Sequence, residues 1–203
     1  REQVAELVGA KSPREVLFTS GGTESNNTAL HAVIHSTGKT HIVTSQAEHS
    51  SVLSYCRFLQ EFRGYEVTYL PVDREGLISI ADLEAAIRPS TALVSLMWAN
   101  NETGVLFPVE EIGQLCRSKG VPYHCDAVQA VGKLPMKLKD LPIDYLSLTG
   151  HKIGAPKGIG ALYVQKKAPF VPFVQGGHPE RSRRGGTENV ASIVGLGTAA
   201  AIA

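Results

Sequence analysis

Short apolar runs alternate along this chain with longer segments that have a helical pattern. The run at 93–97, Leu-Val-Ser-Leu-Met, is of the continuous apolar type found in buried sheets. Strands are predicted at 16–19, 41–44, 67–70, 93–97, 123–126, 145–148 and 160–164, and helices at about 23–34, 51–62, 80–87 and 109–118. This alternation predicts an α/β fold, a three-layer structure whose mainly parallel sheet is covered by helices.

The predicted topology indicates where to look for a site. In sheets of this kind, ligands bind beyond the carboxyl ends of the strands. We therefore expect the segments that follow Thr19, Thr44, Met97, Cys125 and Leu148 to meet around one site.

Composition and charge exclude several classes of protein. The 203 residues are 43% hydrophobic and 19% charged, which fits one globular domain, and a net charge of +1 gives no reason to expect a nucleic-acid partner. No apolar run approaches the ~18–20 residues of a membrane helix, so no membrane partner is expected. Three scattered cysteines, Cys56, Cys116 and Cys125, are expected as small buried hydrophobes in a cytoplasmic protein, not as disulfides or zinc ligands.

The two ends predict that residues 1–203 form one domain cut from a longer protein at both ends. The chain opens on Arg1, inside a helical pattern and without a methionine. It closes on an alanine-rich helical segment, 199–203, that has no stop signal.

The first two strand ends offer an anion site and a histidine. Gly21, Gly22 and Thr23 open a helix, where backbone N–H groups and the helix dipole can hold a phosphate, although a plain capped turn would have the same pattern. His49 follows the second strand and is either functional or structural; no second ligand at helical spacing supports a metal. Asn101 lies in a polar cluster after the strand at 93–97, which suits a ligand site or a turn.

Asp126 and Lys152 follow the next two strand ends. A carboxylate that emerges from an apolar strand needs a partner, either a Lys or Arg of the chain or a cation held by a ligand. Lys152 lies among glycines after an apolar strand, where a desolvated amine could bond an aldehyde, although a plain loop lysine is the alternative. A phosphate cradle, a buried Asp and an accessible Lys together match the three handles of pyridoxal phosphate: its phosphate, its ring nitrogen and its aldehyde.

The motifs that carry these residues resemble those of the cysteine desulfurases of the NifS/IscS type, in the class-V aminotransferase family of fold-type I pyridoxal phosphate enzymes. The matching segments cover essentially the whole chain; they lie at 19–27, 47–49, 98–104, 124–129, 149–152, 176–181 and 184–189. The resemblance implies the large, cofactor-binding domain of that fold.

The resemblance also implies a role for each matching residue. Lys152 would bond the cofactor aldehyde, and His49 would stack on the ring and serve in proton transfers; these two are the predicted catalytic residues. The other predicted cofactor-binding residues are Asp126 for the ring nitrogen, Gln129 for the ring hydroxyl, Asn101 beside the ring and substrate carboxylate, Gly22, Thr23, Thr149 and His151 for the phosphate, and Thr187 for the phosphate of a neighbouring subunit.

The function implied is removal of sulfur from L-cysteine, giving L-alanine and an enzyme persulfide for iron–sulfur scaffolds or other acceptors, in a homodimer. The family's nucleophilic cysteine and substrate-carboxylate arginine lie beyond the matched residues, so Cys56, Cys116 and Cys125 are not assigned that role. A selenocysteine lyase and a non-catalytic partner that retains the fold are the alternatives.

Overall fold

Seven strands form a single sheet in this computed structural model, which describes all residues 1–203. The sheet order is β1-β7-β6-β5-β4-β2-β3, and only β7 runs antiparallel to its neighbours. The strands are β1 (Val16–Thr19), β2 (His41–Ser45), β3 (Glu66–Leu70), β4 (Thr91–Ser95), β5 (Tyr123–Asp126), β6 (Tyr145–Thr149) and β7 (Gly160–Val164).

Helices connect the strands and cover both faces of the sheet. They are α1 (Glu2–Leu7), α2 (Gly22–Thr37), α3 (Ser50–Arg63), α4 (Ile80–Ala86), α5 (Val109–Ser118), α6 (Pro179–Ser182) and α7 (Val190–Ile202). Gly38 and Gly64 end α2 and α3 in the left-handed conformation, with φ of 65° and 69°, which glycine adopts without steric cost.

Consecutive strand residues supply two separate cores. Leu17 packs in one buried cluster, and its neighbours Val16 and Phe18 pack in the other, because successive strand side chains point to opposite faces. Helices α2 and α3 cover the first cluster, and α1, α4, α5 and α7 cover the second. The predicted three-layer, mainly parallel fold is confirmed, and the three cysteines are buried and free as expected.

Several element boundaries differ from those predicted by one to three residues, and two of these differences affect the site. Strand β4 ends at Ser95 instead of residue 97, because the Met97 N–H donates to the Glu48 side chain (3.0 Å) rather than to a strand. Helix α2 starts at Gly22, and its N-cap Gly21 has no side-chain oxygen, so the capped turn considered for this segment is wrong. Both changes place polar groups at the carboxyl edge of the sheet.

We predict that Gly160→Ala destabilises the protein. A Cβ at Gly160 would lie 2.7 Å from the Gly21 Cα and 2.8 Å from the Leu148 carbonyl oxygen, so the backbone itself must shift, at a cost of about 1–3 kcal/mol. Urea unfolding measures the loss. The exposed Lys167→Ala in the following loop is the control and should stay within about 0.5 kcal/mol of wild type. Equal stability of all three proteins would contradict the close packing described.

Candidate active site

A cavity of about 200 Å³ lies where the carboxyl ends of five strands meet. Each of the segments expected at the site contributes to its wall. The lining residues are Gly22, Thr23 and Asn26 after β1, His49 and Ser51 after β2, Met97, Ala99 and Asn101 after β4, Asp126, Val128 and Gln129 at and after β5, and Thr149, His151 and Lys152 at and after β6. The expectation that these segments meet at one site is therefore confirmed.

Nine of the ten predicted site residues line this cavity, and the exception is Thr187. Thr187 lies in a second cavity, of about 230 Å³, together with Glu180 and Arg184. Sequence reasoning gave no role to Asn26, Ser51, Met97, Ala99 or Val128. Asn26 could have been found, because it lies three residues after Thr23 and so shares its helix face.

The start of α2 presents backbone donors to the cavity. The first hydrogen bond of the helix runs from Ser25 N–H to the Gly21 carbonyl, so the N–H groups of Gly22 and Thr23 precede it and can hold an anion. A Cβ at Gly22 would lie 2.9 Å from Val128 Cγ2. Glycine thus lets the helix end approach the β5 segment closely.

An acidic residue in the same helix turn is neutralised. Glu24 accepts two hydrogen bonds from Arg184, at 2.8 and 3.0 Å, and one from the Ser20 N–H at 2.9 Å. Burial alone would raise the pKa of Glu24, but the bonds from Arg184 and Ser20 hold the pKa below its ordinary value. The arginine therefore offsets the repulsion that Glu24 would exert on an anion at this helix end.

Thr149 and His151 complete the polar end of the cavity. Thr149 Oγ1 lies 3.1 Å from His151 Nδ1, and both residues also border the surface around Gly22 and Thr23. Hydroxyl, imidazole and backbone N–H groups therefore converge at one end, a donor set that suits a phosphate.

Asp126 is a buried residue of the cavity lining and has no cationic partner in the chain. It is 6% exposed. Oδ1 accepts from the Val128 N–H at 3.0 Å, and Oδ2 accepts from Asn26 Nδ2 at 2.7 Å. Burial raises the pKa of Asp126, although these two bonds oppose the rise.

The salt-bridge alternative for Asp126 is therefore wrong, because none of the ion pairs of the chain includes it. A buried carboxylate that lines a cavity and lacks a counter-ion fits a ligand that carries its own positive charge, as a protonated pyridine nitrogen does. With the phosphate donors and an accessible amine in the same cavity, the residues present fit pyridoxal phosphate.

Lys152 differs from expectation in one respect. It ends the short turn Gly150–Lys152 that follows β6 and lines the cavity, but its side chain is exposed rather than desolvated. The amine is accessible to a ligand in the cavity.

His49 is held by the start of α3. Its Nδ1 accepts from the Ser51 N–H at 3.1 Å and lies 2.8 Å from Ser51 Oγ. The loop before it is tied to the segment after β4, because Asn100 Nδ2 donates to the Ala47 carbonyl at 2.8 Å. This contact brings the loops that carry His49 and Asn101 together.

Glu48 fixes the same two loops from inside the core. Its Oε1 accepts from the Met97 N–H at 3.0 Å and from Ser45 Oγ at 2.9 Å, while Oε2 has no partner. Burial raises the pKa of Glu48 to about 8, and the charge of Asp126 acts in the same direction. The folded protein therefore favours the protonated form of this carboxyl group at neutral pH.

Comparison with known proteins places the chain among relatives of one kind. Residues 1–203 match the sequence profile described as aminotransferase class-V. The chain is 52% identical over 204 residues to cysteine desulfurase 2 of Trichormus variabilis, covering 100% of this chain and 51% of that relative. The chain therefore spans about half the length of this relative.

Solved structures agree with this match. A structure described as a NifS-like protein superposes with a TM-score of 0.94 at 41% identity, covering 99% of this chain and 56% of that one. Another, described as SspA in complex with cysteine, gives a TM-score of 0.92 at 44% identity, covering 98% and 58%. No helix combines the length and the apolar character needed to cross a membrane.

We predict that Glu48→Gln changes how stability depends on pH. Because the pKa of Glu48 is raised from 4.5 to about 8, protonation favours the folded state. This stabilisation is complete below the unfolded-state pKa and is lost as pH rises through the folded-state pKa. Glutamine does not titrate, so the free energy of unfolding of the variant should rise relative to wild type across this window, by on the order of a few kcal/mol.

Urea unfolding at several pH values within this window measures that difference. Glu61→Gln, at an exposed position, is the matched control and should follow wild type. A difference between Glu48→Gln and wild type that does not change with pH would show that Glu48 is charged in the folded protein.

Proposed function

Since residues 1–203 belong to the class-V aminotransferase family, whose cofactor is pyridoxal phosphate, we propose that the protein is a cysteine desulfurase. It would convert L-cysteine and an enzyme thiol to L-alanine and an enzyme persulfide. The observation that carries the proposal is one cavity that holds a buried, cation-free Asp126, an accessible Lys152 and a helix end with free N–H groups.

In this proposal each end of the cavity holds a different part of the cofactor. Gly22, Thr23, Thr149 and His151 hold the phosphate, because they present backbone and side-chain donors at one end of the cavity. Asp126 holds the ring nitrogen in its protonated form. When bound, the cofactor supplies an electron sink for the charge that develops on the substrate Cα.

The remaining residues orient the cofactor and move protons. The Lys152 amine would hold the cofactor through its aldehyde, and Gln129, which lines the same cavity as Asp126, would bond the ring hydroxyl. His49 stacks on the ring and serves in proton transfer through Nε2, because Nδ1 already accepts from the Ser51 N–H. Asn101 lies near the substrate carboxylate.

The three cysteines within these residues are unsuited to accept sulfur. All are buried, and burial raises the pKa of Cys56 and of Cys116 to about 12 and that of Cys125 well above its ordinary value. A thiol must lose its proton to act as a nucleophile. We therefore propose that the accepting cysteine belongs to a part of the whole protein other than residues 1–203, which would form its cofactor-binding domain.

The proposal includes partners. Thr187 lies outside the cavity of its own chain, which supports a role at the phosphate of a second subunit in a homodimer. A scaffold or other acceptor protein would take the persulfide sulfur. The proposed location of the protein is the cytoplasm, as expected from the sequence.

We predict that Lys152→Ala removes both covalent cofactor attachment and turnover in the whole protein. No other lysine lines the cavity. After borohydride reduction, mass spectrometry should find the cofactor on the peptide that contains Lys152 in wild type and nowhere in the variant. Alanine release from L-cysteine, and sulfide release when an added dithiol reduces the persulfide, should fall by at least about a thousandfold, as is typical when a covalent catalyst is removed.

Lys167→Ala, at an exposed position outside the cavity, is the matched control and should retain both properties. Retained attachment in Lys152→Ala would exclude the assigned lysine. Cofactor binding without turnover in wild type would favour a non-catalytic partner, and turnover of selenocysteine alone would favour a selenocysteine lyase.

A further inference from the structure

Two residues without an assigned role connect Asp126 to His49. Asn26 on α2 is 1% exposed, and its Nδ2 lies 2.7 Å from Asp126 Oδ2 and 2.8 Å from Ser51 Oγ. Ser51 Oγ in turn lies 2.8 Å from His49 Nδ1. An unbroken series of short contacts therefore runs between the two predicted cofactor contacts, over elements that are distant in sequence.

With Asp126 ionised, the donor and acceptor chemistry of each group assigns the hydrogen positions in this series. An ionised carboxylate only accepts, so the nitrogen of the Asn26 amide must face Asp126, and its second hydrogen is donated to Ser51. The Ser51 hydroxyl has one hydrogen of its own. That hydrogen is free to be donated to His49 Nδ1.

The two donors of Ser51 fix the tautomer of neutral His49. Nδ1 accepts from the Ser51 backbone N–H at 3.1 Å as well as from its hydroxyl. A nitrogen that accepts from two donors carries no hydrogen, so neutral His49 holds its proton on Nε2.

Asn26 is not explained by stability alone. Its Oδ1 is buried and has no hydrogen-bond partner, and an unpaired buried carbonyl oxygen is destabilising. An apolar residue of the same shape would avoid this loss. The presence of an asparagine at position 26 is therefore explained by its two N–H donors. Both are directed at site residues, Asp126 and Ser51.

From these contacts we propose that Asn26 and Ser51 are positioning residues of the cofactor site. The Asn26 amide keeps the Asp126 carboxylate ionised and aimed into the cavity. The Ser51 hydroxyl and N–H keep His49 Nδ1 as an acceptor. This inference rests on the proposed function, since it assigns the two residues to the same bound cofactor.

The ionisation of Asp126 is sensitive to the loss of the Asn26 donor because the carboxylate is buried. Burial raises its pKa, and the hydrogen bonds that oppose the rise come from the Val128 N–H and the Asn26 amide. Each oxygen of Asp126 has one donor from the chain. Removal of one donor favours the neutral carboxyl group, which cannot hold a positively charged ring nitrogen.

The test uses Asn26→Leu, which keeps the shape of the side chain and removes both donors. Asn27→Leu is its matched control, because Asn27 is adjacent on α2 but lies outside the cofactor cavity. In the whole protein, Asn26→Leu should weaken pyridoxal phosphate binding by about ten- to a hundredfold, the range expected for a lost charge-assisted bond. With ¹⁵N-labelled cofactor, the ring-nitrogen signal should move toward the unprotonated position, a change that a merely structural role would not produce.

A second measurement examines His49 in wild type and does not depend on that variant folding. With ¹⁵N-labelled histidine, the signals that disappear in His49→Gln identify this ring. They should show one dominant neutral tautomer, with the proton on Nε2. Ser51→Ala should increase the Nδ1-protonated fraction, and Ser50→Ala should not.

Two results would overturn the inference. One is wild-type cofactor affinity with a protonated ring nitrogen in Asn26→Leu, and the other is a His49 that carries its proton on Nδ1 in wild type. Failure of the proposed function is a different result, because wild type itself would then not bind pyridoxal phosphate.

Discussion

The site depends on a negative charge that the chain buries without a counter-ion. Asp126 ends β5 at the centre of the sheet, 6% exposed, and its carboxylate accepts hydrogen bonds only from the Val128 N–H and from Asn26 Nδ2. Burying a charge in this way is expensive unless a cation pairs with it. Under the proposed function, the other polar groups of the cavity bring a cationic ring to this carboxylate and hold it there.

The fold meets that need by ending its parallel strands at one edge. Helix α2 brings free N–H groups to the cavity at its first turn and an amide donor one turn later, at Asn26. The start of α3 holds His49, and the turn after β6 supplies Lys152. The residues proposed to hold the phosphate, the ring nitrogen and the aldehyde thus follow three different strands, β1, β5 and β6, of one sheet, which fixes their spacing.

The sequence predicted the parts of this site that depend on local patterns. Apolar runs located the strands, and the rule that ligands bind at carboxyl ends was enough to group Gly22, Asp126 and Lys152. The sequence could not predict that Lys152 is exposed, because the exposure of a side chain depends on which other segments pack over it. The bridge from Asn26 to Ser51 joins α2 to α3, and neither residue has a local signal that reveals a partner on another helix.

One measurement tests the central claim that Asp126 is paired by the ring nitrogen of the cofactor. It compares the affinity of the whole protein for pyridoxal phosphate with its affinity for the 1-deaza analogue, in which carbon replaces that nitrogen. Wild type should bind pyridoxal phosphate about ten- to a hundredfold more tightly than the analogue, and Asp126→Asn should bind the two equally. An equal affinity in wild type, or an unchanged preference in Asp126→Asn, would contradict the account.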